Sequence, residues 1–314
     1  MDTKAKNILI TGGAGFMGRW TVKNLLLKGH RIWVLDNLSN GFEKNIEEFR
    51  EKLQDFVIGD IKDVKLVSEL FKNGFDICIH FAAAINVQDS IDNPEKNFND
   101  NCAGFFNILE QCRKHNTKII FISSALVYKS AEPGQKINEE HALNPSCPYA
   151  ANKINGENLA MSYFKTYNLP AVILRPFSIY GPYQRSDSEG GVMSIFINKK
   201  LKSEPLEVYG DGEQGRDFFY IEDCAEFIAS ACFSEEAAGQ IFNAGSGIET
   251  KIKDLAKEIA GSQANIKFIK HHHPYAEVMN MRADSSKAEK VLNWKPAVSL
   301  EEGILKTTQW LKSQ

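Results

Sequence analysis

The chain has 314 residues, about twice the ~150-residue guideline for one domain, so one large unit or two fused lobes are both expected. Its composition, 43% hydrophobic and 25% charged, is that of an ordinary globular protein and excludes a disordered or fibrous chain. The net charge of −3 lacks the basic excess that nucleic acids and anionic membranes attract, so neither partner is expected.

The six cysteines form no CxxC pair and follow no zinc-ligand spacing. We therefore expect reduced, mostly buried thiols and no metal site. No stretch approaches the ~18 uncharged apolar residues of a membrane-spanning helix. The N-terminus runs into a strand-like segment without an apolar targeting region, which predicts a cytoplasmic protein.

Short apolar segments alternate with amphipathic stretches along the first half of the chain. Strands are predicted at 7–11, 31–35, 56–58, 76–80, 118–123 and 171–175. With helical patterns between most of them, these segments predict an α/β fold with a Rossmann-like, doubly wound parallel sheet. A ligand crevice is expected beyond the carboxyl ends of the strands.

The strand and helix signals become less regular after Arg175, where the loop 181–191 is rich in turn and polar residues. We expect a first domain over 1–175, with parts of 219–243 returning to it. Residues 176–314 are expected to form mainly a smaller, mixed α/β substrate-binding lobe. No linker rich in Gly, Ser or Pro separates the two, so tight packing is predicted.

A glycine-rich motif, TGGAGFMG at 11–18, ends the first predicted strand and opens a helix. Gly12, Gly15 and Gly18 allow a tight turn and close approach of a pyrophosphate to the helix N-terminus. Asp36 ends the second strand, where a carboxylate binds ribose hydroxyls and repels a 2′-phosphate. The pattern favours NAD over NADP; a glycine turn packed without a ligand is the alternative.

A second motif, YAANK at 149–153, places the Tyr149 phenol and the Lys153 ammonium on one helix face. A neighbouring cation is expected to lower the phenol pKa from its ordinary value of about 10, which would give a base near neutral pH. The spacing alone is common, and by itself it favours a surface tyrosine beside a surface lysine. Cys147 lies two residues before the tyrosine, and packing rather than chemistry is expected for it.

Along essentially its whole length the chain resembles the extended short-chain dehydrogenase/reductase family of nucleotide-sugar enzymes, particularly the UDP-hexose 4-epimerases. The matching stretches occur in the same order as in that family. They are TGGAGFMG (11–18), LDNLSNG (35–41), GDI (59–61), HFAAA (80–84), NCAG (101–104), SSALVY (123–128), YAANK (149–153), RPFSIYGP (175–182), YGDGEQGRDFFYIEDCA (209–225), FNAGSG (242–247) and DSSKAEKVLNWKP (284–296).

The resemblance implies an NAD-binding Rossmann domain at 1–175 and a nucleotide-sugar-binding lobe after it. Tyr149 would take the proton of the sugar 4-hydroxyl, Lys153 would tune it and hold the nicotinamide ribose, and Ser124 would hydrogen-bond the same oxygen. A homodimer through helices near 95–115 and 149–167 is also implied. The implied cofactor-binding residues are Gly12, Gly15, Phe16, Met17, Gly18, Asp36, Asn37, Asp60, Ile61, Phe81, Ala82, Ala83, Asn101, Tyr149 and Lys153.

For the substrate, the resemblance implies that Arg216 meets the diphosphate, with an ion pair to Asp217 as the alternative. In the histidine run 271–273, an anion contact through His273, a metal site and exposed bystanders all stay open. Met281 stands where residue size gates the sugar C2 substituent. The implied substrate-binding residues are Ser124, Ser178, Tyr209, Arg216, His273 and Met281.

Two positions bear on the reaction. Dehydratases and decarboxylases of this family usually carry acidic residues after the catalytic Ser or Thr, where this chain has Ala125 and Leu126. We therefore predict a 4-epimerase acting on a UDP-hexose, N-acetylhexosamine or uronic acid. A net C4 oxidoreductase, or a dehydratase using a carboxylate such as Asp187 or Glu189, is the alternative. A dinucleotide sensor without chemistry is disfavoured because Ser124 and its two partners are present.

Overall fold

The computed structural model describes residues 4–187, 191–261, 265–271 and 277–314. A central sheet of parallel strands runs through it, in the spatial order β10-β6-β5-β4-β1-β2-β3. These strands are β1 (Asn7–Thr11), β2 (Arg31–Asp36), β3 (Asp55–Ile58), β4 (Ile77–His80), β5 (Lys118–Ile122), β6 (Ala171–Pro176) and β10 (Gln240–Ala244). The prediction of a doubly wound parallel sheet is confirmed.

The first six strands lie within one residue, at each end, of the predicted segments. Their sequences are runs of apolar and mostly β-branched residues; Ile8, Leu9 and Ile10 of β1, for example, have no solvent exposure. Such continuous burial is typical of a parallel strand that has helices over both faces.

Helices cover the sheet on both sides. One core contains Ile8 and Ile10 with side chains of α1 and α8, and the other contains Leu9 with side chains of α2, α5 and α6. The helices of this part are α1 (Phe16–Leu27), α2 (Val64–Phe71), α3 (Val87–Asp92), α4 (Pro94–Phe98), α5 (Gly104–His115), α6 (Pro148–Tyr167) and α8 (Ile221–Phe233).

After β6 the chain forms strands of two small sheets, returns to the central sheet through α8 and β10, and then adds one more strand to each small sheet. The small sheets have the orders β11-β9-β7 and β12-β8. Their strands are β7 (Ser178–Tyr180), β8 (Leu206–Tyr209), β9 (Gly215–Tyr220), β11 (Glu249–Lys251) and β12 (Ile266–Ile269), accompanied by α7 (Val192–Leu201), α9 (Ile252–Ala260), α10 (Ser286–Leu292) and α11 (Leu300–Lys312). Among the described helices, none has both the length and the apolar character that a bilayer crossing needs.

Candidate active site

A cavity of about 490 Å³ opens at the carboxyl ends of β1 to β4, the edge where doubly wound sheets bind ligands. The loops after these four strands form most of its wall, and residues 183–185, in the loop after β7, line it as well. The predicted cofactor residues that line it are Gly12, Gly15, Phe16, Met17, Gly18, Asp36, Asn37, Asp60, Ile61, Phe81, Ala82 and Ala83. The structure therefore brings these residues to one place.

The glycine turn after β1 leaves no room for side chains. Gly12 has a φ of +72°, and a Cβ there would lie 2.7 Å from the backbone N of Ala82. A Cβ on Gly18 would lie 2.7 Å from the Cα of Gly13. Helix α1 consequently begins directly against the turn, and its unpaired N-terminal amides and positive dipole end suit a pyrophosphate.

Asp36, the last residue of β2, is buried in the wall of this cavity. Its carboxylate accepts hydrogen bonds from the backbone N–H groups of Ala14 at 2.9 Å and Leu38 at 2.8 Å. Burial raises the pKa of this carboxyl, and the two backbone bonds oppose that rise. The glycine turn thus fixes the carboxylate that the sequence predicts for ribose binding.

Ser124, Tyr149 and Lys153 meet where β5 ends and α6 begins. A side-chain hydrogen bond links Tyr149 and Ser124. Lys153 Nζ lies 5.8 Å from the centre of the Tyr149 ring and donates to the carbonyl of Ile122 at 2.8 Å. Tyr149 and Lys153 are buried, which excludes the alternative of a surface pair. These three residues do not line the 490 Å³ cavity. They lie at the carboxyl end of β5, the strand next to β4 in the sheet.

Burial dominates the protonation of this group. It raises the pKa of Tyr149 to about 12, although the hydrogen bond with Ser124 acts in the opposite direction. It lowers the pKa of Lys153 to about 8, against the negative charge of Glu157. The expectation that Lys153 brings the phenol pKa below its ordinary value is therefore wrong for the chain by itself, because desolvation of the phenol outweighs the contacts that favour ionisation.

Asn101 supports the cavity without lining it. It belongs to a π-helical turn, Asn99–Ala103, and its Oδ1 accepts from Ala84 N at 2.7 Å while its Nδ2 donates to Ala84 O at 3.0 Å. Asn97 also donates to Ala84 O, at 3.1 Å, and accepts from Asn152 of α6 at 2.9 Å. These amides tie the loop after β4 to α6, and no motif in the sequence identifies Asn97 or Asn152.

A buried ion pair lies next to the Ser124–Tyr149–Lys153 group. Arg175 donates to both oxygens of Glu157, at 2.8 and 2.5 Å, and Ser123 donates to the same carboxylate. The Arg175 side chain is 3% exposed and that of Glu157 is 4% exposed. The sequence analysis missed this pair because no local pattern joins residues that meet only through tertiary packing.

Arg216 lies on β9 in the small sheet β11-β9-β7, and its guanidinium forms an ion pair with Glu277. It also donates to the carbonyls of Val278 at 2.6 Å and Gly215 at 2.8 Å. The alternative prediction, an ion pair between Arg216 and Asp217, is wrong. The buried Asp217 carboxylate instead accepts hydrogen bonds from the backbone N–H groups of residues 246, 247 and 283, at 2.6 to 2.9 Å. Arg216 is thus held by a carboxylate, though not by the one next to it in sequence.

The other predicted substrate residues lie at separate places in the part of the chain after β6. Ser178 begins β7 and is half-buried, and Met281 is buried in the main core. Tyr209 ends β8, with its ring 5.6 Å from that of His271, and His271 Nε2 lies 2.6 Å from a Glu277 oxygen. His273 lies outside the described residues.

Ala125 and Leu126 follow Ser124 in a short 3-10 turn, which Ser124 caps by accepting from Leu126 N at 3.2 Å. Neither side chain can transfer a proton. Of the two loop carboxylates, Asp187 is exposed and paired with Arg185 at 2.7 Å, and Glu189 is outside the described residues. In the part of the chain that the structure describes, no three His, Cys, Asp or Glu side chains cluster in a way that could hold a metal ion.

A family profile described as GDP-mannose 4,6 dehydratase matches residues 9–307. The chain belongs to this family. The predicted resemblance to extended short-chain dehydrogenase/reductase enzymes is confirmed.

Three similar proteins cover nearly the whole chain. A putative UDP-glucose 4-epimerase of Methanocaldococcus jannaschii is 37% identical over 312 residues, 98% of each chain. The structure of Pal from Bacillus thuringiensis is 48% identical with a TM-score of 0.96, covering 98% of this chain and 99% of that one. Thermus thermophilus UDP-glucose 4-epimerase, solved with NAD, is 31% identical with a TM-score of 0.90, covering 98% and 99%. Other similar proteins are named dehydratases or a decarboxylase, so likeness alone does not select the reaction.

Proposed function

We propose that this protein is an NAD-dependent nucleotide-sugar 4-epimerase. It oxidises C4 of a UDP-hexose, N-acetylhexosamine or uronic acid and returns the hydride to the opposite face of the sugar. The observation that carries this proposal is the group formed by half-buried Ser124 and buried Tyr149 and Lys153 at the carboxyl edge of the sheet, with no carboxylate in the two positions after Ser124. The names of the epimerases that resemble the chain support it.

The cavity suits a dinucleotide. A Cβ on Gly12 or Gly18 would collide with backbone, so the turn is kept clear for close approach of a pyrophosphate. Asp36 offers a fixed carboxylate to the ribose hydroxyls. NAD, when bound, accepts and returns the hydride, and its oxidised ring brings a positive charge to the site.

Tyr149 accepts the proton of the sugar 4-hydroxyl and later gives it back, and Ser124 hydrogen-bonds the same oxygen. With a pKa of about 12, the phenol needs positive charge beside it to act near neutral pH. The Lys153 ammonium supplies part of that charge, and because the site is buried its effect is stronger than in water. We assign to the same ammonium the role of holding the nicotinamide ribose.

Epimerisation requires no acid or base other than Tyr149. After C4 oxidation the 4-keto sugar turns over and receives the hydride on its other face, so C5 and C6 keep their hydrogens. A 4,6-dehydratase must also abstract the C5 proton and protonate the C6 hydroxyl, and Ala125 and Leu126 offer no group for either step. The alternative of a net C4 oxidoreductase shares the first half of the cycle.

The two parts of the chain divide the ligands. Residues 1–175, with parts of 219–243, hold NAD, and residues 176–314 mainly hold the nucleotide sugar. Arg216 is the principal diphosphate contact. This role requires the Arg216 guanidinium to bind the diphosphate together with Glu277 or in place of it. The remaining substrate contacts that we propose are Ser124, Ser178, Tyr209, His273 and Met281.

Arg216→Ala is expected to raise the KM for the nucleotide sugar about 10- to 100-fold, because charge-assisted hydrogen bonds to the diphosphate are lost. Steady-state kinetics at saturating substrate separates this from an effect on kcat. Lys251→Ala, on the strand that pairs with Arg216's strand, is the matched control and should change KM less than twofold, roughly. His273→Ala should have a smaller, pH-dependent effect. Equal and negligible changes of KM in Arg216→Ala and His273→Ala would mean that the diphosphate binds elsewhere.

The purified protein should carry NAD rather than NADP. Asp36 is buried beside the cavity, and residues 37–39 contribute no cation that could offset a 2′-phosphate. Mass spectrometry of nucleotide released by denaturation checks this, with Asp36→Ser expected to raise the NADP share. Mainly NADP in the wild-type protein would contradict the assignment.

A cytoplasmic homodimer completes the proposal. All six cysteines are free and buried, as suits a reducing compartment. Phe98 and Phe106 are about half exposed and share a surface groove with Leu159, on the helices proposed to form the dimer. Sedimentation should give a dimer that Phe106→Glu dissociates. A wild-type monomer at micromolar concentration would contradict it.

The reaction itself is tested by incubating the protein with a panel of nucleotide sugars in deuterium oxide and resolving the products by chromatography and mass spectrometry. An isomer of unchanged mass, once its hydroxyls are back-exchanged, is the expected product. Loss of one water, or stable deuterium at C5 or C6, would select the dehydratase instead. A 4-keto sugar with stoichiometric NADH would select the oxidoreductase.

A further inference from the structure

Arg19 is an unusual residue to find inside this fold. It follows Gly18 in the first turn of α1, and only 2% of it is exposed. Its guanidinium forms an ion pair with Glu48, whose side chain is half exposed, while Nε and Nη1 have no hydrogen-bond partner among the residues that the structure describes. Burying a cation with two unpaired N–H groups is costly, so a specific contact must offset that cost.

That contact is aromatic. The Arg19 guanidinium carbon lies 3.4 Å from the centre of the Tyr183 ring, and 4.9 and 5.2 Å from those of Trp20 and Phe49. Trp310 of α11 packs against Tyr183 with ring centres 4.9 Å apart and the ring planes tilted by 37°. A planar guanidinium among aromatic faces gains cation–π stabilisation, which is larger when both groups are desolvated.

Tyr183 is also part of the wall of the NAD cavity. Gln184 and Arg185 belong to the same part of the wall, and the glycine turn that ends at Gly18 forms another part of it. The φ of Tyr183, +72°, is in the left-handed region, which a tyrosine rarely adopts. The backbone at Tyr183 is expected to relax out of this conformation unless contacts such as the one with Arg19 hold the tyrosine side chain. A second anchor is the hydrogen bond from Trp20 Nε1 to Pro182 O, at 3.0 Å.

We propose that Arg19 is a positioning residue for the cofactor: it clamps Tyr183 onto α1, keeps the wall at 183–185 closed, and thereby sets the rate at which NAD leaves. The clamp joins the first turn of α1 to the loop after β7 through the stacked Arg19–Tyr183 pair, next to the Trp20–Pro182 hydrogen bond. Arg19 itself need not touch the cofactor. This inference rests on the proposed NAD binding and goes beyond the proposed reaction.

The test follows exchange of bound NAD with isotopically labelled NAD in solution, measured by mass spectrometry of the protein-bound fraction. Arg19→Lys keeps the charge but loses the planar face, and Tyr183→Leu removes the ring. Both variants should exchange about tenfold faster than wild type. Tyr183→Phe keeps the stacking face and should stay within about twofold. Lys23→Met removes another cation from the Trp20 face on the same helix without touching Tyr183, and should also stay within about twofold.

Thermal melting confirms that each variant is folded. If Arg19→Lys does not fold, Tyr183→Leu, at a half-buried ring, decides the question by itself. Wild-type exchange rates in the folded Arg19 and Tyr183→Leu variants would overturn the inference, and so would equal acceleration by Lys23→Met. Wild-type protein that retains no dinucleotide would overturn the proposed function as well, so the two failures are distinguishable.

Discussion

Tyr149→Phe should reduce turnover of the nucleotide sugar by about 10²- to 10⁴-fold, the usual effect of removing a general base. The substitution deletes the proton acceptor and the hydrogen bond with Ser124 but keeps the buried ring, so the fold and NAD binding should be preserved. Initial rates, with bound NAD quantified in the same preparation, measure the effect.

Two companion variants sharpen this result. Ser124→Ala removes one hydrogen bond to the reacting oxygen and should lower turnover less than Tyr149→Phe does. Tyr167→Phe changes an exposed tyrosine of the same helix and should leave turnover unchanged. Near-wild-type turnover in Tyr149→Phe with NAD bound would refute the assigned base.

Glu157→Gln should destabilise the protein by about 3–5 kcal/mol, because it leaves the Arg175 guanidinium buried without its counter-charge. The melting temperature at pH 7, compared with that of wild type, measures the loss. Glu69→Gln is the control: its ion pair with Lys72 is mostly exposed, and the change should stay below about 1 kcal/mol. A wild-type melting temperature in Glu157→Gln would show that the pair contributes nothing.

The same variant has a catalytic readout. Glu157 opposes the burial that lowers the pKa of Lys153 to about 8, so removing its charge should lower that pKa further. Lys153 is charged below its pKa, and the proposed mechanism needs that charge. The alkaline limb of the rate profile should therefore move to lower pH in Glu157→Gln. An alkaline limb that stays at its wild-type position would show that the charge of Glu157 does not affect the pKa of Lys153.

Local patterns predicted the part of the molecule in which neighbours in sequence are also neighbours in space. The strands from β1 to β6 are continuous apolar runs, and the glycine turn with Asp36 is built from a strand end and the residues beside it. Tyr149 and Lys153 share a helix face, so their proximity follows from the helical period.

The rest depends on residues far apart in the chain. The Arg216 partner is 61 residues away in the chain, and the Tyr183 ring that contacts Arg19 comes from the loop after β7, so neither contact has a local signal. The phenol pKa was predicted in the wrong direction because sequence spacing shows the cation but not the extent of burial. Several second-lobe strands are three or four residues long, too short for periodicity to identify.

The fate of the hydrogen on C4 tests the central claim most directly. A nucleotide sugar deuterated at C4 and accepted by the enzyme should give, in ordinary water, an epimer that keeps the deuterium on C4 and has the mass of the labelled substrate. That result means the hydride removed is the hydride returned. Deuterium left on the nicotinamide beside an accumulating 4-keto sugar, or a product lighter by one water, would contradict the account.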